Sequence, residues 1–176
     1  MKEKTALFLF CILLITSFFR LWQLEKIPPG LYPDVAIYAN DALESLKTGN
    51  FKVFYLENNG REGLYMWILA LSFSLFGVSI WSIKIVTATI GILTVLGLYL
   101  FTKELFSQNT ILKLQTTNIA LLSSFFLAIS FWHVNFSRIG FRAILVPLVL
   151  VFAFYFFLKG FHRQKIFYVL LAGILF

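Results

Sequence analysis

The chain has 176 residues, 60% of them hydrophobic, 22 of them phenylalanine, and only 13% charged, whereas a soluble domain carries about 25% charged residues and at this size lacks the interior to hide so much apolar side chain. Lipid must therefore be part of the solvent, and the net charge of +7 does not point to nucleic acid, because the basic residues sit between apolar runs where they meet lipid phosphates. The single cysteine, Cys11, excludes an internal disulfide and reads as a small lipid-facing or packed side chain.

A membrane-spanning helix needs about 20 mostly apolar residues, and the first such run is 5–24. Lys2 and Lys4 precede it, which favours a cytoplasmic amino terminus. Arg20, near the far end, is expected to snorkel to the interface. No small-x-small cleavage site follows, so the run predicts an uncleaved anchor rather than a signal peptide. Residues 25–62 form the longest polar stretch and the external first loop. Pro28, Pro29 and Gly30 stop the first helix near Ile27, and Pro33 restarts structure. From 34 to 47 the apolar positions Val35, Ala36, Ala39, Ala42, Leu43 and Leu46 recur at three and four residues. Asp34, Tyr38, Asp41 and Ser45 share the opposite face. The pattern predicts an amphipathic helix lying along the membrane surface. Thr48-Gly49-Asn50 ends it, with Gly49 suited to the left-handed cap. Residues 51–56 read as extended or loop-like, and Asn58-Asn59-Gly60 as a turn.

Further spans are expected at 64–80, which is short, at 83–101, at 119–136, and at 139–158, which contains Pro147. An apolar run at 166–176 is too short to cross, so the chain is expected to be the amino-terminal part of a longer one. Gly91 and Gly97 either permit close helix contact or are merely tolerated. The fold class is all-α: a polytopic membrane helix bundle with an external first loop carrying an amphipathic juxtamembrane helix. A literal count of spans puts 25–62, 102–118 and 159–165 outside. The last holds Lys159, Arg163 and Lys165, against the tendency of basic loops to stay inside. If the run at 64–80 fails to cross, every later connection changes sides.

Few residues carry chemistry. Asp34 follows a proline turn just beyond the first span, where a carboxylate can take a proton from an acceptor hydroxyl; it equally suits the N-cap of the following helix. Asp41, two turns on, reads as solvated rather than as a second catalytic group. Arg61 and Glu62 mark the start of the second run. The planar guanidinium of Arg61 suits a phosphate, and an interfacial anchor or an Arg–Glu pair is the alternative. Arg138 and Arg142 share one face if helical and suit either a lipid phosphate or an interfacial turn. The literal count puts them on the cytoplasmic side, away from Asp34, so a shared site needs the other topology. His133 reads as a satisfied packing residue. The sequence has no His/Cys/Asp cluster of metal spacing, no glycine-rich phosphate loop and no nucleophile motif, so neither a metal nor another cofactor is expected.

The order of features is nonetheless distinctive. Ile27-Pro28-Pro29-Gly30-Leu31-Tyr32-Pro33-Asp34 leads into Ala36-x-Tyr38 and Lys47-Thr48-Gly49-Asn50. Then come Glu57-Asn58-Asn59-Gly60-Arg61-Glu62, Leu75-Phe76-Gly77 and Ser137-Arg138-Ile139-Gly140-Phe141-Arg142-Ala143-Ile144-Leu145-Val146-Pro147-Leu148. Over nearly all of residues 18–160 this resembles the bacterial branch of the protein O-mannosyltransferase and aminoarabinose transferase superfamily, the GT-C membrane glycosyltransferases. The resemblance implies an enzyme with many more membrane helices, a polyprenyl-phosphate-linked sugar as donor, and inverting transfer to a protein, lipid or glycan acceptor on the extracytoplasmic face. It implies a multi-pass protein of the cell membrane, here a bacterial plasma membrane, in contact with membrane lipids. Asp34 holds the position of the catalytic base. Many relatives have Asp-Glu there; this chain has Asp34-Val35 and lacks the second carboxylate. Arg61 is implied to face the donor phosphate, Arg138 and Arg142 to serve phosphate binding or structure, and Tyr38, Asp41 and Glu62 to support them. Some relatives use a metal, for which no local signal exists here. A transporter or flippase component is the first alternative, but such proteins show ionisable or broken-helix signals at mid-membrane, and here the polar content is concentrated in one loop. An inactive fragment is the second, because the relatives complete their donor groove with later helices.

Overall fold

The computed structural model describes residues 2–56, 60–108 and 115–175. Among these it contains eight α-helices and one two-stranded ribbon, so the chain is an all-α bundle. Helix α1 (Lys2–Leu21) leaves Leu7, Phe8, Phe10, Leu14 and Phe18 on its outer surface, where lipid takes the place of a protein core. Helix α2 (Pro33–Thr48) begins with Pro33, whose missing N–H is harmless in the first turn, and ends on Gly49 at φ 72, the left-handed cap its sequence demands. Strands β1 (Phe54–Tyr55) and β2 (Arg61–Glu62) pair antiparallel, with Tyr55 opposite Arg61. Of the turn signal between them, Asn58 and Asn59 lie outside the described residues. Helix α3 (Leu64–Phe76) follows directly. Helix α4 (Ile80–Leu105) opens on a capping box in which the Ser79 and Ser82 side chains each take the other's backbone N–H. Helices α5 (Thr116–Ile129), α6 (Phe131–Ile139), α7 (Leu145–Arg163) and α8 (Ile166–Leu175) complete the chain, with a 3-10 turn at Arg142–Ile144 before α7.

Helix α4 is the hub, packed by α1, α3, α5, α6 and α7. Its glycines are contact points. A Cβ on Gly91 would lie 2.8 Å from Ser137 Cβ, and one on Gly97 would lie 2.7 Å from Val151 Cγ2, so α6 and α7 approach because nothing projects there. One apolar cluster joins Ile12, Val95 and Ala128 of α1, α4 and α5. A larger one joins α2, α3, the first turns of α4 and the 3-10 turn through Val35, Tyr38, Tyr65, Leu69, Ile83 and Ile144.

Contacts fix which helix ends lie together. Lys84, near the start of α4, donates to the carbonyl of Pro28, just after α1. Arg138, at the end of α6, donates to carbonyls of Phe19, Trp22 and Ile27. Tyr65, at the start of α3, donates to Gly140 O, while Ser72, near its end, donates to Ser82 O. Both ends of α3 therefore lie at the end of the bundle where α1 finishes and α4 begins. Its 13 residues extend about 20 Å, against an apolar membrane core of about 30 Å. Three helical segments are long and apolar enough to cross, Glu3–Leu21, Ile80–Leu105 and Arg142–Arg163, and the bent pair α5–α6 makes a fourth if it counts as one span. This arrangement carries Arg138 and Arg142 to the end that holds Asp34, contrary to the literal span count.

Two further expectations need correction. Arg20 does not snorkel; it is fully buried. Its guanidinium donates to the carbonyls of Ala128 at 3.0 Å and Leu127 at 3.4 Å and to His133 Nδ1 at 2.7 Å. Those carbonyls belong to the last turn of α5, where helix carbonyls run out of intrahelical partners; Leu127 O also takes the N–H of Ser130 at 3.3 Å. The apolar run at 119–136 is not one helix: it bends by 55° between α5 and α6, where Arg20 caps the first segment and Ser130 leaves helical geometry. His133, an acceptor from Arg20, is a partnered packing residue.

Candidate functional site

The site is built on α2. Its buried residues are Val35, Tyr38, Asp41, Ala42 and Ser45, so the polar face expected to meet water turns inward, while Leu46 stays exposed. Specific partners make this tolerable. Asp41 Oδ2 lies 2.8 Å from Arg61 Nη1, and Ser45 Oγ lies 2.5 Å from Tyr55 Oη. The Tyr38 ring meets Tyr65 and Phe141 edge-on and is flanked by the guanidinium groups of Arg61 at 5.7 Å and Arg142 at 5.8 Å, close enough for cation–π attraction. Asp41 is thus not solvated: it is 9% exposed, and Arg61 faces it as the compensating charge.

Strand alternation sends the next two side chains opposite ways. Arg61 points in, 1% exposed, with all three guanidinium nitrogens shielded from water; among the described residues no acceptor meets any of them with hydrogen-bond geometry, so the contact with Asp41 is an ion pair. Glu62 points out and forms an ion pair with Arg142 of the 3-10 turn.

Between these elements lies a cleft of about 760 Å³. One end is polar, lined by Asp34, Tyr38, Arg61, Glu62, Tyr65 and Arg142. The rest is apolar: Phe141, then Leu145, Val146, Val149 and Leu150 along one face of α7, and Leu175 of α8. The N-cap of α2 is Tyr32 and Pro33 opens the helix. Asp34, next in line, is therefore not the cap. Its half-buried carboxylate stands in the first turn, where the helix dipole favours negative charge. A carboxylate and an accessible guanidinium at the wet end of an apolar slot suit an amphiphile with an anionic head.

The sequence-derived candidates divide. Asp34, Tyr38, Arg61, Glu62 and Arg142 share the cleft wall. Asp41 stands behind it, holding Arg61. Arg138 is not among the lining residues; its guanidinium is spent on the carbonyl of Phe19 in the last turn of α1 and on those of Trp22 and Ile27 in the segment that follows. Sequence reasoning passed over Lys84, which is fully buried and ties the same segment through Pro28 at 2.6 Å, although a lone cation in an apolar run is a usable signal. It also passed over Tyr65, whose hydroxyl fixes Gly140 beside the 3-10 turn. Among the described residues no three His, Cys, Asp or Glu side chains gather as a metal site.

A family model described as dolichyl-phosphate-mannose-protein mannosyltransferase matches residues 64–176. The match covers α3 to α8, and with them Tyr65, Arg142 and the apolar wall of the cleft; Asp34, Tyr38 and Arg61 precede it. No curated protein and no solved structure matches the chain.

Proposed function

The chain belongs to the dolichyl-phosphate-mannose-protein mannosyltransferase family, multi-pass membrane glycosyltransferases of the GT-C type with polyprenyl-phosphate sugar donors, and from that premise we propose that its cleft is the transfer site. Asp34 acts as general base. It takes the proton of the acceptor hydroxyl as that oxygen attacks the anomeric carbon of the donor sugar. The bond from that carbon to the phosphate oxygen breaks on the opposite face, so configuration inverts, and polyprenyl phosphate leaves with the bonding electrons. The charge developing on the phosphate is met by Arg142, with Arg61, sealed in the wall against Asp41, adding positive field. Prearranged charge of this kind stabilises the transition state without reorganisation. The first prenyl units follow the apolar face of α7. Arg138 and Lys84 act as positioning residues by holding the segment that delivers Asp34. The acceptor is a protein, lipid or glycan on the extracytoplasmic face of a bacterial plasma membrane.

The cleft's two-ended chemistry carries this reading: carboxylate and guanidinium at one end, only carbon side chains along α7. General-base catalysis contributes about 10²- to 10⁴-fold. Asp34→Asn is therefore expected to lower sugar transfer in lipid nanodiscs by about that factor, with binding of a short prenyl phosphate retained. Transfer at the wild-type rate would remove Asp34 from the mechanism.

A further inference from the structure

Glu62 of β2 and Arg142 of the turn before α7 both line the cleft, and their ion pair joins the two elements at its polar end. The pair differs from the other charges there. Arg61 is sealed against Asp41, so an incoming anion does not reach it without rearrangement. The Arg142 side chain is 29% exposed and that of Glu62 is 78% exposed. A pair so open to water is weak, and it parts at little cost. A guanidinium offers the same two-pronged geometry to a carboxylate and to a phosphate.

We propose that the Glu62 carboxylate holds the position on Arg142 that the donor phosphate takes, so that donor binding exchanges one anion for another. The inference rests on reading the cleft as the donor site. On binding, the carboxylate swings into water and the phosphate takes the fork of Arg142; on release it returns. No bond is made or broken. Glu62 thereby sets the affinity for the lipid phosphate and assists departure of the polyprenyl phosphate product, which carries more negative charge than the donor. It also selects against lipids with neutral heads, which cannot displace it.

The test is binding of a short-chain prenyl phosphate, and of the matching prenyl alcohol, to the protein in nanodiscs. Glu62 is mostly solvated, so Glu62→Gln leaves the packing unchanged. That variant is expected to bind the phosphate about fivefold more tightly, equivalent to about 1 kcal/mol, and the alcohol no differently. Arg142→Met should weaken phosphate binding at least roughly tenfold, as loss of a charge-assisted contact does, and Glu62→Gln should add nothing in that background. Unchanged or weaker phosphate binding by Glu62→Gln, with Arg142→Met still defective, overturns the exchange and spares the cleft. Unaltered binding by Arg142→Met overturns the donor-site reading and the exchange together.

Discussion

Asp41 and Arg61 bury opposite charges 2.8 Å apart at the wall of the cleft, Arg61 in it and Asp41 behind, and their energetics follow from that isolation. Removing one partner leaves the other charged where water cannot reach it, which costs about 3–5 kcal/mol. Replacing both by apolar side chains of similar volume removes the penalty along with the attraction. Asp41→Ala is thus expected to lower the unfolding free energy in detergent by about 3 kcal/mol, and Asp41→Leu with Arg61→Met to recover most of the loss. A double variant as unstable as Asp41→Ala would show that the two do not act as a unit. This pair also marks where sequence reasoning stopped at the scale of the residue. The place of Asp34 in the first turn of α2 was legible because a proline turn beyond an apolar span advertises it. Asp41 was not, because a helical period shows which residues share a face but not what packs on that face. Its partner comes from a strand 20 positions on, and only the fold brings the two together.

Among the elements, those set by local chemistry were legible and those set by distant contacts were not. The Pro33 start and Gly49 stop of α2 follow from backbone preferences within a turn. The bend between α5 and α6 has no proline or glycine to announce it; the residue that caps it, Arg20, lies 108 positions before the Ala128 carbonyl to which it donates. Gly91 and Gly97 left packing and tolerance equally open in sequence, and the packing decides for contact. Gly91 supplies a test. Alanine there brings a methyl 2.8 Å from Ser137 Cβ and 3.0 Å from Arg20 Nε, atoms fixed on neighbouring helices. Overpacking of this kind costs about 1–3 kcal/mol. At Gly173 of α8 a methyl group would meet no atom within 4 Å, so Gly173→Ala should be neutral or stabilising through helix propensity. Thermal unfolding of the two variants in one detergent compares them directly. Equal stability would mean that α4 and α6 are not in contact at Gly91.

For the whole molecule, composition alone established a membrane helix bundle, because no soluble domain hides so much carbon. The order of crossings was beyond it, because α3 is apolar enough to pass for a span and only its contacts reveal that both its ends lie at one end of the bundle. The consequence is global. With α3 on one side, Asp34, Glu62 and Arg142 lie together, while Lys103, Lys159, Arg163 and Lys165 gather at the opposite end with Lys4. Basic residues are retained on the cytoplasmic side, so this distribution removes the conflict that the literal span count creates at 159–165. It predicts opposite accessibility for two exposed positions, Asn50 after α2 and Lys165 before α8. In a Cys11→Ser background, Asn50→Cys should react with a membrane-impermeant maleimide in intact cells. Lys165→Cys should react only after the membrane is opened. With the bent pair α5–α6 counted as one span, four crossings separate the amino terminus from Lys165 if α3 stays on one side, and five if it crosses, so on that count the parity of the labelling reports on α3. Reaction of both cysteines from outside would make α3 a true span, and would return Arg142 to the side away from Asp34, dismantling the cleft from which the transfer chemistry is derived.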